Sequence, residues 1–361
     1  MQARSTIRGS VLSHPTFGRW TRVKPIPSPY GTLVWNTESS NCIGRRCGCC
    51  CLPDKGSAGS CDSKLRDLGQ AELYQGDGRS VEDLLKYFKG LKKEQAWSRP
   101  NQEGRVFLVG TGPGDPELLT LKAVRLMEEA DVVLYDRLVS ENILGLVNPG
   151  ALMVYVGKQQ SYHTRSQEEI HKLLQVFASE GATVVRLKGG DPYIFGRGGE
   201  EVEYLEARGV KAVAVPGITA AAGISAELGI PLTHRGLATS VRFLTGHARE
   251  GGQNDIEEAL STSYDAHTTL VIYMGLGTLK MTSQTLIQRG LARSTPAVAI
   301  ERGTTPQQRT VWAPLEELYP KVEEVGLRSP TLIIIGKVVS LAPDWKVLHS
   351  NQDGLLECLN K

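Results

Sequence analysis

From Arg105 onward, short apolar runs alternate with stretches whose apolar residues recur every three or four positions. The runs Val106 to Val109, Val132 to Tyr135, Leu152 to Val156, Thr183 to Leu187 and Lys211 to Val215 are valine-rich and too short for helices, which suits strands covered on both faces. Between them the spacing predicts a helix from Pro116 to Ala130, with Leu119, Ala123, Leu126 and Met127 along it. A second helix starts at Gln167, with Ile170, Leu173, Leu174 and Phe177 as its stripe, and another opens near Gly199. Asp115 reads as the N-cap of the first helix, with Pro116 in the position where a missing N–H costs nothing. Ser166 and Glu169 form a capping box for the second. Strands alternating with helices predict a mostly parallel sheet.

Pro216-Gly217 closes this series, and ITAAAGISAELG, a helix of small residues able to pack closely on a ligand, opens the next. Strands are expected at Ser240 to Thr245, Thr269 to Met274, Ala297 to Glu301, Thr310 to Trp312 and Thr331 to Val338. Helices are expected near Asp255 to Leu260, Leu279 to Arg289 and Leu315 to Val325. The fold class is therefore α/β, with one domain at 104–217, a second at 218–343 and a deep cleft between them.

Outside this region the texture changes. Met1 to Thr37 holds five basic residues and no acidic one, among serines and prolines, so 1–60 reads as a disordered transit peptide, with an ordinary disordered tail as the alternative. Residues 61–103 read as a linker with one short amphipathic helix, Val81 to Leu91, and 344–361 as a tail. Six of the seven cysteines fall between Cys42 and Cys61, but no histidine is near and the spacing fits no usual metal-ligand pattern, so no metal is expected. Charge is uneven: residues 1–100 carry 16 basic against 9 acidic side chains, and the remainder 25 against 30. A mildly acidic balance over 101–361 argues against a nucleic-acid partner, and no apolar run reaches the roughly 18 residues of a membrane span.

Two glycine-rich loops hold the candidate chemistry. GTGPGD (Gly110 to Asp115) follows the first strand, and Asp136 stands at the end of the second, as a dinucleotide site would require. Pro113 and Pro116, however, remove backbone donors that a pyrophosphate would need. In KGGDPYIFGRGGEE (Lys188 to Glu201) the glycines allow close backbone approach and set the Asp191 carboxylate beside a ligand, which suits hydroxyls or a cation better than a phosphate.

These loops, with YDRLVS, Gly157-Lys158, VPGITAA, PLTHRG, TGH, YMG and ERGT in the same order, give a chain that resembles the uroporphyrinogen-III C-methyltransferases of the tetrapyrrole methylase family over about Gly104 to Pro343. The resemblance implies a two-domain tetrapyrrole-methylase fold, a homodimer, and transfer of methyl groups from S-adenosylmethionine to uroporphyrinogen III at C2 and C7. The product would be precorrin-2, on the way to sirohaem. It implies cofactor contacts from Pro113, Gly189, Gly190, Asp191, Ile194, Thr219, Ala220, Met274 and Gly303. It also implies a plant-type protein of the plastid stroma, where sirohaem serves sulfite and nitrite reduction.

Methyl transfer to carbon is an in-line displacement in which alignment supplies most of the rate. By resemblance, Asp136 is the candidate proton acceptor and Lys158 the candidate donor. Alternatively, Asp136 pairs with Arg137 or caps the next helix, and Lys158 binds a carboxylate. Arg197 with Glu200, and Arg235, are the candidates for binding the polycarboxylate substrate. His234 and His247 could reach it too, though structural roles suit them better. Residues 1–100 are too short and irregular for the dehydrogenase–chelatase module of a trifunctional sirohaem synthase, so the reaction is expected to stop at precorrin-2.

Overall fold

The structure, a computed structural model, describes residues 79–94, 103–157, 165–246 and 265–349. The transit-peptide segment, the cysteine cluster, Lys158, His247 and the helix expected near Asp255 lie outside the described residues. Both sheets fall within one compact unit, Ser60–Lys361.

The first sheet runs β3-β2-β4-β1-β5 and is parallel throughout, with β1 at Arg105–Gly110, β2 at Val132–Tyr135, β3 at Leu152–Tyr155, β4 at Thr183–Lys188 and β5 at Lys211–Val215. Its central strands are buried on both faces, which is why they read as unbroken apolar runs. Val106, Leu108, Val132, Leu134 and Val184 face one way. They meet helices α1 (Val81–Glu94), α4 (Gln167–Ser179) and α5 (Gly198–Glu206). Phe107, Val109, Val133, Tyr135, Val185 and Leu187 face the other way, onto α2 (Leu121–Glu128) and α3 (Glu141–Leu144).

Two expectations change here. The single helix from Pro116 is a 3-10 turn, Pro116–Leu118, followed by a separate α2. Asp115 caps the turn through the Glu117 N–H at 2.8 Å, Leu119 is extended, and Thr120 caps α2 by accepting from the Ala123 N–H at 3.1 Å. A second strong cap five residues after the first restarts the helix. The stretch expected as a linker also supplies core. On α1, Leu84 and Phe88 are fully buried, and Phe88 stands edge-on to Phe177 of α4 with 5.3 Å between ring centroids. Lys89 pairs with Glu180 beyond the far end of α4, at 2.9 Å.

The second series begins with α6 (Ala220–Glu227) and builds a sheet in the order β6-β7-β10-β8-β9: Ser240–Thr245, Thr268–Tyr273, Thr331–Ile335, Pro296–Glu301 and Arg309–Pro314. Only β6 and β7 are parallel; β7–β10, β10–β8 and β8–β9 are antiparallel. Helices α7 (Leu279–Gln288) and α8 (Leu315–Val325) pack on one face through Leu279, Leu286, Leu315, Leu318 and Val322. The β8–β9 hairpin makes RGTTPQQ, 302–308, a loop between paired strands. The strand expected to reach Val338 stops at Ile335, where Gly336 takes a φ of 153°. In the tail, residues 343–349 are helical, and Trp345 is buried with its ring stacked on His349 at 3.9 Å.

Candidate active site

Three glycines bring the carboxyl ends of β1, β4 and β5 into backbone contact. A Cβ on Gly110 would lie 2.5 Å from the Gly217 nitrogen and 2.7 Å from the Gly190 carbonyl oxygen, and one on Gly217 would lie 2.2 Å from that same oxygen. Gly112 and Gly190 exchange two backbone hydrogen bonds, of 3.2 and 2.7 Å, so the two glycine-rich loops form one surface. Gly189, Gly190, Asp191 and Ile194 follow along it. The Asp191 carboxylate accepts from the Tyr193 N–H at 2.9 Å and from the Gly217 N–H at 3.1 Å, which fastens the loop after β4 to the turn after β5.

Helix α6 is where the remaining cofactor candidates gather. Thr219 is its N-cap residue and Ala220 its first residue. A Cβ on Gly223, one turn on, would come within 2.7 Å of the Pro113 Cγ, and a Cβ on Gly303 within 2.5 Å of the Ile224 side chain. Thr219 Oγ1 is hydrogen-bonded to the Tyr273 hydroxyl, which also accepts from the Ala221 N–H at 3.0 Å, and Met274 is the next residue. Burial raises the Tyr273 pKa, partly offset by these hydrogen bonds. Its ring lies 5.0 Å from that of Phe195, on the loop after β4. Pro113 and Gly303 therefore meet α6 from the two halves of the chain, and Tyr273, just before Met274, meets its first turn. A helix that accepts a proline on one side and a loop on the other must be built of small residues, as ITAAAGISAELG is.

Backbone strain concentrates on the same loops. Among the described residues, the non-glycine positions with left-handed φ are Phe195, Arg197, Met274, Arg302 and Thr304, and all five follow the carboxyl ends of β4, β7 or β8. Each costs about 1–3 kcal/mol, and such residues cluster at ligand sites.

Asp136 does not pair with Arg137. Its Oδ1 accepts from the Leu138 N–H at 2.9 Å, and its Oδ2 lies 3.0 Å from Arg186 Nη2. Arg186 and Lys188 point to one face of β4, and both are buried. Glu201, fully buried on α5, accepts from Lys188 Nζ at 2.9 and 3.1 Å and stands 3.7 Å from Arg186 Nε. Gln167 on α4 donates to Glu201 at 3.2 Å and lies 3.1 Å from the His171 ring nitrogen. Burial lowers the Lys188 pKa, as does neighbouring Arg186, while Glu201 opposes the shift. Burial likewise lowers that of His171, against the pull of Glu201. The sequence reading missed Arg186, Lys188 and Glu201. The available signal was two charges alternating in TVVRLK, a strand otherwise apolar, because buried charges require partners.

The substrate candidates lie at the surface. Arg197 and Glu200 make a two-pronged pair, Nε to Oε1 at 2.9 Å and Nη2 to Oε2 at 2.6 Å, which raises the Arg197 pKa and lowers that of Glu200. Arg235 is exposed in the turn where His234 and Ala238 pair, and no ion pair joins it to the Arg197–Glu200 pair. Among the described residues no group of three or more His, Cys, Asp or Glu is arranged to hold a metal ion, and no helix is long and apolar enough to cross a membrane.

Comparison with known proteins gives this arrangement its relatives. The family model described as Tetrapyrrole (Corrin/Porphyrin) Methylases matches residues 105–319. A protein of Arabidopsis thaliana named S-adenosyl-L-methionine-dependent uroporphyrinogen III methyltransferase, chloroplastic, is 63% identical over 254 residues, covering 70% of this chain and 69% of its own length. A siroheme synthase of Azotobacter vinelandii is 51% identical over 70% of this chain, which spans about half, 53%, of that protein. Among solved structures, a uroporphyrin-III C-methyl transferase from Thermus thermophilus, complexed with S-adenosylhomocysteine, is 47% identical with a TM-score of 0.56, covering 66% of this chain and 100% of that one. The paired glycine loops, the small-residue helix between two unlike sheets and these matches agree: the chain belongs to the tetrapyrrole (corrin/porphyrin) methylases.

Proposed function

We propose that this chain transfers methyl groups from S-adenosylmethionine to C2 and C7 of uroporphyrinogen III, giving precorrin-2 for sirohaem biosynthesis. The observation that carries the reading is the convergence on α6 of the two glycine-rich loops with the end of β7, through Tyr273, and the loop after β8, through Gly303. It occurs in a chain 63% identical to a plant protein named for uroporphyrinogen III methylation.

The residues fit the cofactor. Gly110 and Gly217 let the loop backbones meet where a Cβ would collide, Gly190 turns the second loop with a left-handed φ of 69°, Asp191 adds a carboxylate, and Ile194 and Met274 add apolar surface for a purine. In this reading Pro113, Gly189, Gly190, Asp191, Ile194, Thr219, Ala220, Met274 and Gly303 hold S-adenosylmethionine, which supplies the methyl group on its sulfonium. Asp136, at the carboxyl end of β2, takes the proton released by the methylated ring, and Lys158 donates one. Arg197, held by Glu200, and Arg235 bind substrate carboxylates.

The catalytic region is read as two domains, 104–217 and 218–343, working as a homodimer in the plastid stroma, with 1–60 as the transit peptide. The test is anaerobic incubation with S-adenosylmethionine and uroporphyrinogen III. It should yield S-adenosylhomocysteine and the absorbance of a dipyrrocorphin; formation of neither would overturn the proposal. Import of a fusion of residues 1–60 into isolated plastids tests the location, and cytosolic retention would refute it. Sedimentation of the purified protein tests the dimer, which a monomer mass would exclude.

A further inference from the structure

Asp136, Arg186, Glu201 and Lys188 form a quartet in which two cations face two anions. It sits where β2 and β4 end and against the first turn of α5. Arg186 lies opposite Leu134 in the β2–β4 register, so its side chain shares a face with Asp136, two residues beyond Leu134. Arg186 is 5% exposed, so its charge must be met by protein partners.

Each contact within the quartet constrains another. Arg186 Nη2 holds Asp136 Oδ2 at 3.0 Å, while Nη1 donates to the Leu187 carbonyl at 2.8 Å and fixes the plane of the guanidinium. The third nitrogen, Nε, is buried with no hydrogen-bond partner and points toward Glu201 at 3.7 Å. Glu201 is itself pinned by Lys188 on both oxygens and by Gln167. With Oδ1 of Asp136 held by the Leu138 N–H, both oxygens of that carboxylate are fixed in direction, and each keeps a lone pair for a further partner. The same turn of α5 places Glu200 outward against Arg197 and Glu201 inward. One turn of helix thus joins the proposed substrate clamp to the proposed base.

Resting on the proposed role of Asp136, we infer that Arg186 is a positioning residue for that carboxylate, and that Glu201 holds Arg186 in place while balancing its charge. Arg186 touches neither substrate nor cofactor in this role. It sets the angle at which Asp136 meets the ring proton, and misorientation on the scale of an ångström costs roughly 100-fold in rate. Without Glu201, two buried cations would face a single carboxylate, and the guanidinium would lose the charge that draws its Nε edge away from Asp136.

The test is a double-mutant cycle on the full-length chain, read as S-adenosylhomocysteine release under saturating substrates with the KM for each substrate. Asp136→Asn should lower kcat about 100-fold or more. Arg186→Gln should lower kcat by a similar order in the native background and by less than about 3-fold in the Asp136→Asn background, with the cofactor KM unchanged, because a residue acting through Asp136 has nothing left to position. Equal losses in both backgrounds would overturn the inference and leave the role of Asp136 standing. An Asp136→Asn enzyme with native turnover would remove the base and the inference together, and absent turnover in the native protein would report on the proposed reaction itself. Should Arg186→Gln fail to fold, Arg186→Lys, which keeps the charge and loses the fork, should show the same non-additivity at smaller amplitude.

Discussion

Pro113 of the first glycine-rich loop rests on Gly223 of α6, so closely that a Cβ on the glycine would sit 2.7 Å from the proline Cγ. The ring cannot swing away as a long side chain would, so the helix and the loop set each other's position. Gly223→Ala should therefore push the loop off α6 and weaken binding of S-adenosylhomocysteine by about 10-fold, with a loss of about 1–3 kcal/mol in stability from overpacking. Calorimetric titration with urea unfolding checks both, and native affinity would show that Pro113 does not border the cofactor.

Asp191 carries a structural role alongside its proposed cofactor contact, since both of its oxygens accept backbone N–H groups. Asp191→Ala should lower cofactor affinity by 10-fold or more, on the order expected for losing charge-assisted hydrogen bonds, and should lower the melting temperature as well. Asp191→Asn keeps one of the two acceptors, so it should recover part of the melting temperature and little of the affinity. Equal recovery of both would reduce Asp191 to a loop fastener.

Arg197 and Glu200 are paired at the surface, where such pairs add little to stability. Arg197→Ala should leave the melting temperature near the native value and raise the KM for uroporphyrinogen III about 10-fold or more. An unchanged KM would remove Arg197 from substrate binding.

Glu301, the last residue of β8, anchors the loop that carries Gly303 and Thr304. Burial pushes its pKa up, but the Arg328 N–H and the Arg309 guanidinium outweigh this and leave it below the usual carboxylate value. A depressed folded-state pKa means that the unfolded chain binds more protons between the two values, so stability rises with pH across that window. The contribution is fully present above the ordinary glutamate pKa and fades as pH falls through the folded one. Glu301→Gln should flatten this part of the acid limb in urea unfolding between about pH 5 and pH 3. An identical limb in native and variant proteins would exclude it.

Phe88 tests whether α1 belongs to the catalytic fold. Phe88→Ala removes a fully buried ring from its contact with Phe177 and should cost about 3–5 kcal/mol in urea unfolding. A change below about 1 kcal/mol would show that α1 docks only loosely.

Much of this architecture is written in local pattern. Val132–Tyr135, Lys211–Val215, Ser240–Thr245 and Leu315–Val325 lie where their periodicity put them, and Ser166 and Glu169 form the capping box their spacing announced. The missed features are those decided by partners distant in sequence. Thr120 restarts a helix that looked continuous from Pro116, because a local side-chain cap outcompetes propensity. Strand direction in the second sheet follows from which strands end up adjacent, and an apolar run carries no sign of that. Leu84 and Phe88 look like any amphipathic stripe until α4 is beside them. Arg186 and Lys188 make sense only once Glu201, more than ten residues on, folds back against them.

Phe195, Arg197, Met274, Arg302 and Thr304 pull fitness in two directions. Glycine would relax the backbone at every one of them, and it would erase the side chain that each loop presents. A library of this chain selected only for heat resistance should accumulate glycine at these five positions and lose turnover as it does so, whereas selection for turnover should restore the original residues. The five thus form a map, drawn by the backbone alone, of where this protein exchanges durability for chemistry.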